Sequence, residues 1–287
     1  MSEKPKAATL AGGIGETHLL LAIDIGNTHI KFGLFTGDRL DHKVRLATDP
    51  GRTEDEYGVL LIQALAQRGV GVESVSAAIV ASVVPALTDG ILSMVRRLFG
   101  REPLVLGPGL KTGISVLYDS PREVGPDRIA DAVAAFERVN GGTIVVDFGT
   151  ATTFNCVSPK GEYLGGVIVP GVRIGYDALL NAAAKLSRVE LAEPPRVLGR
   201  NTPHALQSGA IFGSAALVDG LVERLEAELG FPCKVVATGG MAQVIAKHSK
   251  RIESVDPDLT LQGLRLLHER NSEPPAARRG AKGSQEP

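Results

Sequence analysis

Apolar and polar positions in this chain alternate between two rhythms, short apolar runs and longer helical stripes. Residues 19–25 (LLLAIDI) are apolar almost throughout, as expected of a strand covered on both faces. A tight Gly26–Asn27 turn leads to a second strand at 30–35, and Gly37–Asp38 marks a hairpin into a third at 39–46. Over 54–68, Tyr57, Leu60, Leu61, Ala64 and Leu65 recur at helical spacing. A buried strand at 77–83 stops before Pro85, and a helix at 87–99 and a short strand at 103–106 follow. Gly125–Pro126 opens a helix running to about 139, with proline at a favoured first-turn position.

The pattern then restarts. Strands are expected at 143–147, 152–158 and 163–169, and helices at 173–184 and 207–229. A strand at 234–237 ends in Thr238–Gly239–Gly240, and helices at 241–248 and 259–270 close the series. The segments LAIDIGNTHIKFG and IVVDFGTATTFNC open the two blocks alike. Each ends an apolar strand on an aspartate (Asp24, Asp147), with a glycine two residues on (Gly26, Gly149) and a threonine close behind. This internal repeat implies a duplicated α/β architecture with two similar halves, 19–140 and 141–270. Residues 1–18 read as a flexible N-terminal extension, and 271–287 (NSEPPAARRGAKGSQEP) as a disordered tail.

Composition narrows the function. With 287 residues, 44% hydrophobic and 22% charged, the chain can fill two cores. A formal net charge of −1 and an aromatic content of 4% without tryptophan argue against nucleic acid as a partner. The longest apolar stretches read as strand-length and no signal-peptide pattern opens the chain, so neither a membrane span nor export is expected, and the cytoplasm is. Cys156 and Cys233 lack zinc-site spacing and read as buried thiols.

The two hairpins carry the candidate chemistry. Tip amides, with Asn27, Thr28, Thr150 and Thr152, can cradle phosphate oxygens. Asp24 and Asp147 beside them make sense against a polyphosphate only with a cation between, which implies Mg²⁺ and a monovalent ion. The glycines permit close backbone approach. A single D-x-G is a common turn; two in equivalent places argue for function. No Walker loop, dinucleotide fingerprint or protein-kinase signature is present; GPGLKTG (107–113) lacks the required glycine spacing. Asp127 and Arg128, at a helix start, suit a proton acceptor and an anion clamp, or merely a first-turn acid and a surface charge. Thr238–Gly240 suits a nucleotide base lying on backbone, or a simple strand–helix turn. Asn201–Thr202 opens a helix, and Asn201 suits its N-cap.

Seven motifs in order, DIGNT (24–28), GPDR (125–128), DFGTATT (147–153), GGVIVPG (165–171), NTPHALQSG (201–209), TGG (238–240) and DPDLTLQGL (256–264), resemble type III pantothenate kinases. That family lies in the acetate and sugar kinase, Hsp70 and actin superfamily. The resemblance implies two ribonuclease H-like (actin-like ATPase) domains, each a mixed five-stranded sheet flanked by helices, with nucleotide in the cleft between them. It implies transfer of phosphate from ATP to pantothenate, the first step of coenzyme A biosynthesis, by a homodimer with pantothenate near the subunit interface. Asp24, Ile25, Gly26, Asn27, Thr28, His29, Ile30 and Lys31 would form the first phosphate loop, with Asp24 serving Mg²⁺. Thr150, Gly239 and Gly240 would contact ATP. Tyr118, Gly125, Pro126, Asp127, Arg128 and Thr202 would line the pantothenate site, with Asp127 as proton acceptor. Asp147 would hold a monovalent cation, K⁺ or NH₄⁺. Rival readings are a kinase for another small acid or polyol, a non-enzymatic nucleotide-binding regulator of the same fold, and a chaperone ATPase. The last lacks residues for a substrate domain.

Overall fold

The structure is a computed structural model that describes residues 18–183 and 186–272. Residues 1–17 of the expected extension and 273–287 of the expected tail lie outside the described residues, as does Ala184 at the expected end of one helix. The fold is mixed α/β with two sheets, one of five strands and one of six.

Strands β1 (Leu19–Ile25), β2 (His29–Thr36) and β3 (Arg39–Ala47) form the antiparallel meander expected from the turn signals. β4 (Val75–Ser82) and β5 (Leu104–Val105) add parallel strands, in the order β3-β2-β1-β4-β5. Helix α1 (Glu54–Ala66) starts on a reciprocal capping box between Thr53 and Glu56. With α2 (Pro85–Phe99) it covers the outer face, packing Tyr57, Leu61, Leu65, Ile91 and Met94 against Leu21, Ile23 and Phe32.

The second half repeats the plan. β7 (Thr143–Phe148), β8 (Ala151–Val157) and β9 (Glu162–Pro170) form the meander, and β10 (Lys234–Gly239) lies parallel to β7. Helix α4 (Val172–Ala182) follows β9. α5 (Thr202–Leu229) and α6 (Ala242–Ala246) cover the outer face, where Ala215, Val218 and Val222 meet Ile144, Val146 and Phe154. Cys156 and Cys233 are buried free thiols in this core.

Two short strands escaped the sequence reading. β6 (Ser115–Val116) leaves the first half and pairs in parallel with β9, giving the second sheet its sixth strand. β11 (Ser254–Val255) pairs with β10 at the other edge. Each has two residues, too few for a periodic signal. α5 begins at Thr202, where Asn201–Thr202 marks a helix start and five positions before the 207 given by apolar spacing; Asn201 caps it by accepting from the His204 amide at 2.8 Å. With 28 residues, α5 is long and apolar enough by length and composition to cross a membrane, so the longest apolar stretch exceeds strand length. In this fold one of its faces packs on the second sheet.

The halves are joined by two helices. α3 (Pro126–Val139) contacts β7 and β8 as well as β4, and α7 (Leu259–Asn271) contacts β1, β2 and β4. Each helix thus packs partly on the sheet of the other half, and the two cross each other. A shared core of Ala22, Ile79, Ile129, Val133, Tyr163, Leu261 and Leu264 fills the space between the sheets. Asn271, expected to begin the tail, is the last residue of α7 and bonds the Lys111 carbonyl at 2.9 Å.

Candidate active site

The two hairpins meet. Thr28 Oγ1 and Thr150 Oγ1, one at each tip, lie 2.7 Å apart. Each tip is closed by its glycine amide, Gly26 donating to His29 O and Gly149 to Ala151 O, both at 3.1 Å. Those two amides are therefore spent on the turns. The amides of Asn27, Thr28 and Thr150 make no such bond among the described residues and are the donors left for an anion. Ile25 and Ile30 are cross-strand partners and fully buried, so only their backbone lies near the tip.

Asp24 and Asp147 are the next-to-last residues of β1 and β7, close to the strand ends where the repeat placed them. Asp24 is buried and accepts a 3.0 Å bond from Lys31 Nζ, its cross-strand partner. Burial pulls the Lys31 ammonium down, but Asp24, Asp147 and Asp131 together hold it well above its ordinary value. Lys31 is thus the shared cation of a carboxylate cluster. His29, on the same strand, is pushed down by burial and by the charges of Arg45 and Lys31. Burial raises the Asp147 carboxyl to about 6 against the pull of Lys31, with Asp127 and Asp24 adding to the rise.

Thr238 and Gly239 pair with Asp147 and Phe148 across β10 and β7. Gly239 has φ +91°, and a Cβ there would lie 2.4 Å from Asp147 Oδ1 and 2.6 Å from the Phe148 carbonyl. Only glycine leaves room for this carboxylate. Gly240 donates to Phe148 O at 3.1 Å. The Thr238–Gly240 turn is therefore brought to the second hairpin.

α3 delivers the next group. Gly125 takes the N-cap position, Pro126 opens the helix, and Asp127 stands in its first turn. The Arg128 amide donates to Asp127 Oδ1 at 2.8 Å. Burial, then the charge of Asp24, push the Asp127 carboxyl up, and Arg128 and Lys31 oppose them. Arg128 Nε donates to Asn155 Oδ1 at 2.7 Å, and its guanidinium lies 5.8 Å from the Tyr163 ring centre. Tyr163 donates its hydroxyl to the same Asn155 oxygen at 3.0 Å and meets the Tyr118 ring edge-on at 6.3 Å. Tyr118 and Arg128 are thus joined through Tyr163.

Of the residues expected to act, the two hairpins, Thr238–Gly240 and the Gly125–Arg128 helix start gather between the sheets. Thr202 does not join them: it is exposed at the start of α5, with no bond to this group among the described residues. Sequence reasoning missed Asn155 and Tyr163, which hold Arg128, and Asp131, buried one turn after Asp127. The helical spacing of Asp127 and Asp131 was the available signal.

A family model described as type III pantothenate kinase matches residues 20–224, well over half of the 287. The type III pantothenate kinase of Myxococcus xanthus is 54% identical over 253 residues, 88% of this chain and 99% of that protein. The chain belongs to the type III pantothenate kinases. The Moorella thermoacetica member of this family is 49% identical over 254 residues, covering 88% of this chain and all of that protein. Among solved structures, a candidate Baf family transcriptional activator from Campylobacter jejuni matches with TM-score 0.57 at 20% identity, over 88% of this chain and 98% of that one. Component A of (R)-2-hydroxyglutaryl-CoA dehydratase from Acidaminococcus fermentans matches with TM-score 0.51 at 14% identity, over 86% and 95%. These structural likenesses bear on the two-sheet fold of this chain alone.

Proposed function

We propose that this protein transfers the γ-phosphate of ATP to the primary hydroxyl of pantothenate, giving ADP and 4′-phosphopantothenate, the first step of coenzyme A biosynthesis. The observation that carries the proposal is the convergence of two phosphate hairpins, in contact at Thr28 and Thr150, with Asp127 on α3. Family membership supplies the acceptor.

Roles follow from position. The free amides of Asn27, Thr28 and Thr150 would hold phosphate oxygens, Gly239 and Gly240 would face the nucleoside, and Lys31 would balance the migrating charge. Asp24 would serve the Mg²⁺ that travels with ATP. Its burial and its single lysine partner leave acceptor oxygen for that ion or its water. A bound Mg²⁺ supplies neutralisation of phosphate charge. Asp147 would hold K⁺ or NH₄⁺: it is a confined carboxylate, fitted against a glycine where any side chain would displace it. Asp127 would accept the hydroxyl proton, and its raised pKa makes it a better base than a free aspartate. Phosphoryl transfer demands little deprotonation before the transition state, so positioning matters most. Arg128, braced by Asn155 and Tyr163, would bind the pantothenate carboxylate or the moving phosphate, with Tyr118 beside it.

We also propose a homodimer. Ile168 on β9, Ile174 and Leu179 on α4, Val197 and Leu198 in the segment between α4 and α5, and Leu217 on α5 are exposed. A concentration of exposed apolar side chains around one pair of helices marks an association surface. Thr202 is exposed close to Val197 and Leu198 in the chain, which fits pantothenate binding near a subunit boundary. The cytoplasm, which holds ATP, is the expected site of action.

The test is turnover. Purified protein with MgATP and K⁺ should phosphorylate pantothenate in preference to a panel of other small hydroxy acids and polyols. Preference for another acceptor would overturn the assignment.

A further inference from the structure

Asp131 has no role in the proposal above, yet it is among the most confined carboxylates of the molecule. It is 2% exposed, and its Oδ1 has no hydrogen-bond partner. Its position follows from packing. Ala134 and Ala135 of α3 lie against Val145 of β7 and Val236 of β10. One helical turn back is Asp131; two residues on along the strands are Asp147 and Thr238, which are cross-strand neighbours on that same face. Asp131 therefore stands over Asp147, with Thr260 of α7 at its side.

The charge balance of this pocket is incomplete. Lys31 faces Asp24, Asp127, Asp131 and Asp147, so four carboxylates share one ammonium. Arg128 sits beside Asp127, with its Nε committed to Asn155. Buried carboxylates persist when paired, and an oxygen with no donor leaves its desolvation uncompensated. Burial pushes the Asp131 carboxyl well above its usual range and the Asp147 carboxylate pushes it further, against Thr260 and Lys31. A cation in the pocket would relieve both groups at once. Mg²⁺ suits it poorly, because Mg²⁺ keeps several waters and this space is roofed by α3.

We propose that Asp131 is a second carboxylate of the monovalent-cation site, supplying its free Oδ1 to the ion held at Asp147. The inference rests on the assignment of a monovalent cation to Asp147. K⁺ and NH₄⁺ share the required chemistry, a single charge accepted by carboxylate and hydroxyl oxygens.

Thermal melts of the full-length protein without nucleotide, titrated with KCl, NH₄Cl or NaCl at constant ionic strength, test it. The wild type should gain stability with K⁺ or NH₄⁺ as a ligand-linked shift. Asp147→Asn should gain none, and Asp131→Asn should need at least about tenfold more ion for the same shift. Equal titrations of wild type and Asp131→Asn would overturn the inference and leave the Asp147 assignment standing. No ion-specific shift in the wild type would overturn both. Wild-type crystals soaked in Tl⁺ give a check that does not depend on a variant folding. An anomalous peak contacted by Asp131 and Asp147 supports the site; a peak on Asp147 alone overturns it.

Discussion

At the scale of single residues, three carboxylates look alike in sequence and differ in surroundings. Asp127 is held at a helix start by the Arg128 amide and lifted by burial and by Asp24. Asp127→Asn keeps the shape and removes the base, so kcat should fall about 10²- to 10⁴-fold while ATP affinity stays near the wild-type value. Steady-state kinetics beside nucleotide titration would measure the split, and normal turnover would remove Asp127 from the mechanism. Asp147 gives a pH signature. Its folded pKa, about 6, lies above the ordinary 3.8, so the folded protein holds that proton more tightly than the unfolded chain. The stability it contributes is full below about pH 4 and is lost as pH rises through about 6. In buffer free of K⁺ and NH₄⁺, the melting temperature of Asp147→Asn should therefore gain on the wild type between about pH 4 and 7. A pH-independent difference would contradict the shift. Asp24, Asp127 and Asp147 were legible in the chain because motif and repeat marked them. Asn155 and Tyr163 were not, because each acts through a partner distant in sequence and a strand asparagine carries no signal of its own; Asp131 offered only its one-turn spacing from Asp127, which does not say what it faces.

At the scale of elements, the meanders, the flanking helices and the starts of α3 and α5 were readable from apolar runs, the Gly26–Asn27 and Gly37–Asp38 turns, Pro126 and Asn201. The two-residue strands β6 and β11 were not, since their pairing belongs to the partner strand. The crossing of α3 and α7 is the joint between the halves, and it depends on one glycine. A Cβ at Gly263 would lie 1.9 Å from the Ala130 carbonyl oxygen, so the helices pack backbone against backbone there. Gly263→Val should force them apart and destabilise the fold by about 1–3 kcal/mol or more, measured by urea unfolding. It should also lower activity, because Ala130 adjoins Asp131 and lies three residues after Asp127. Unchanged stability would mean the crossing relaxes without strain.

At the scale of the whole molecule, the exposed apolar side chains of β9, α4, α5 and the segment between the two helices decide the expected assembly. Leu198 is 71% exposed and Val197 66%. Leu198→Glu, on a residue with no core contacts to lose, should leave the monomer folded and shift the mass seen by light scattering from twice the 30.1 kDa chain to the chain itself. It should also raise KM for pantothenate if Thr202 acts near the subunit boundary. A wild type that runs as a monomer would refute the homodimer. Sequence alone determined the duplicated strand–turn–strand plan, because apolar periodicity and glycine turns are local properties, and it determined the family, because seven motifs keep their order. Only the tertiary structure decided which aspartates share a lysine, that the two threonine tips touch, and that Thr202 stands apart from the cleft of its own chain. These are consequences of α3 and α7 each lying across both halves, and no local pattern encodes where a helix crosses a sheet formed by residues more than a hundred positions away.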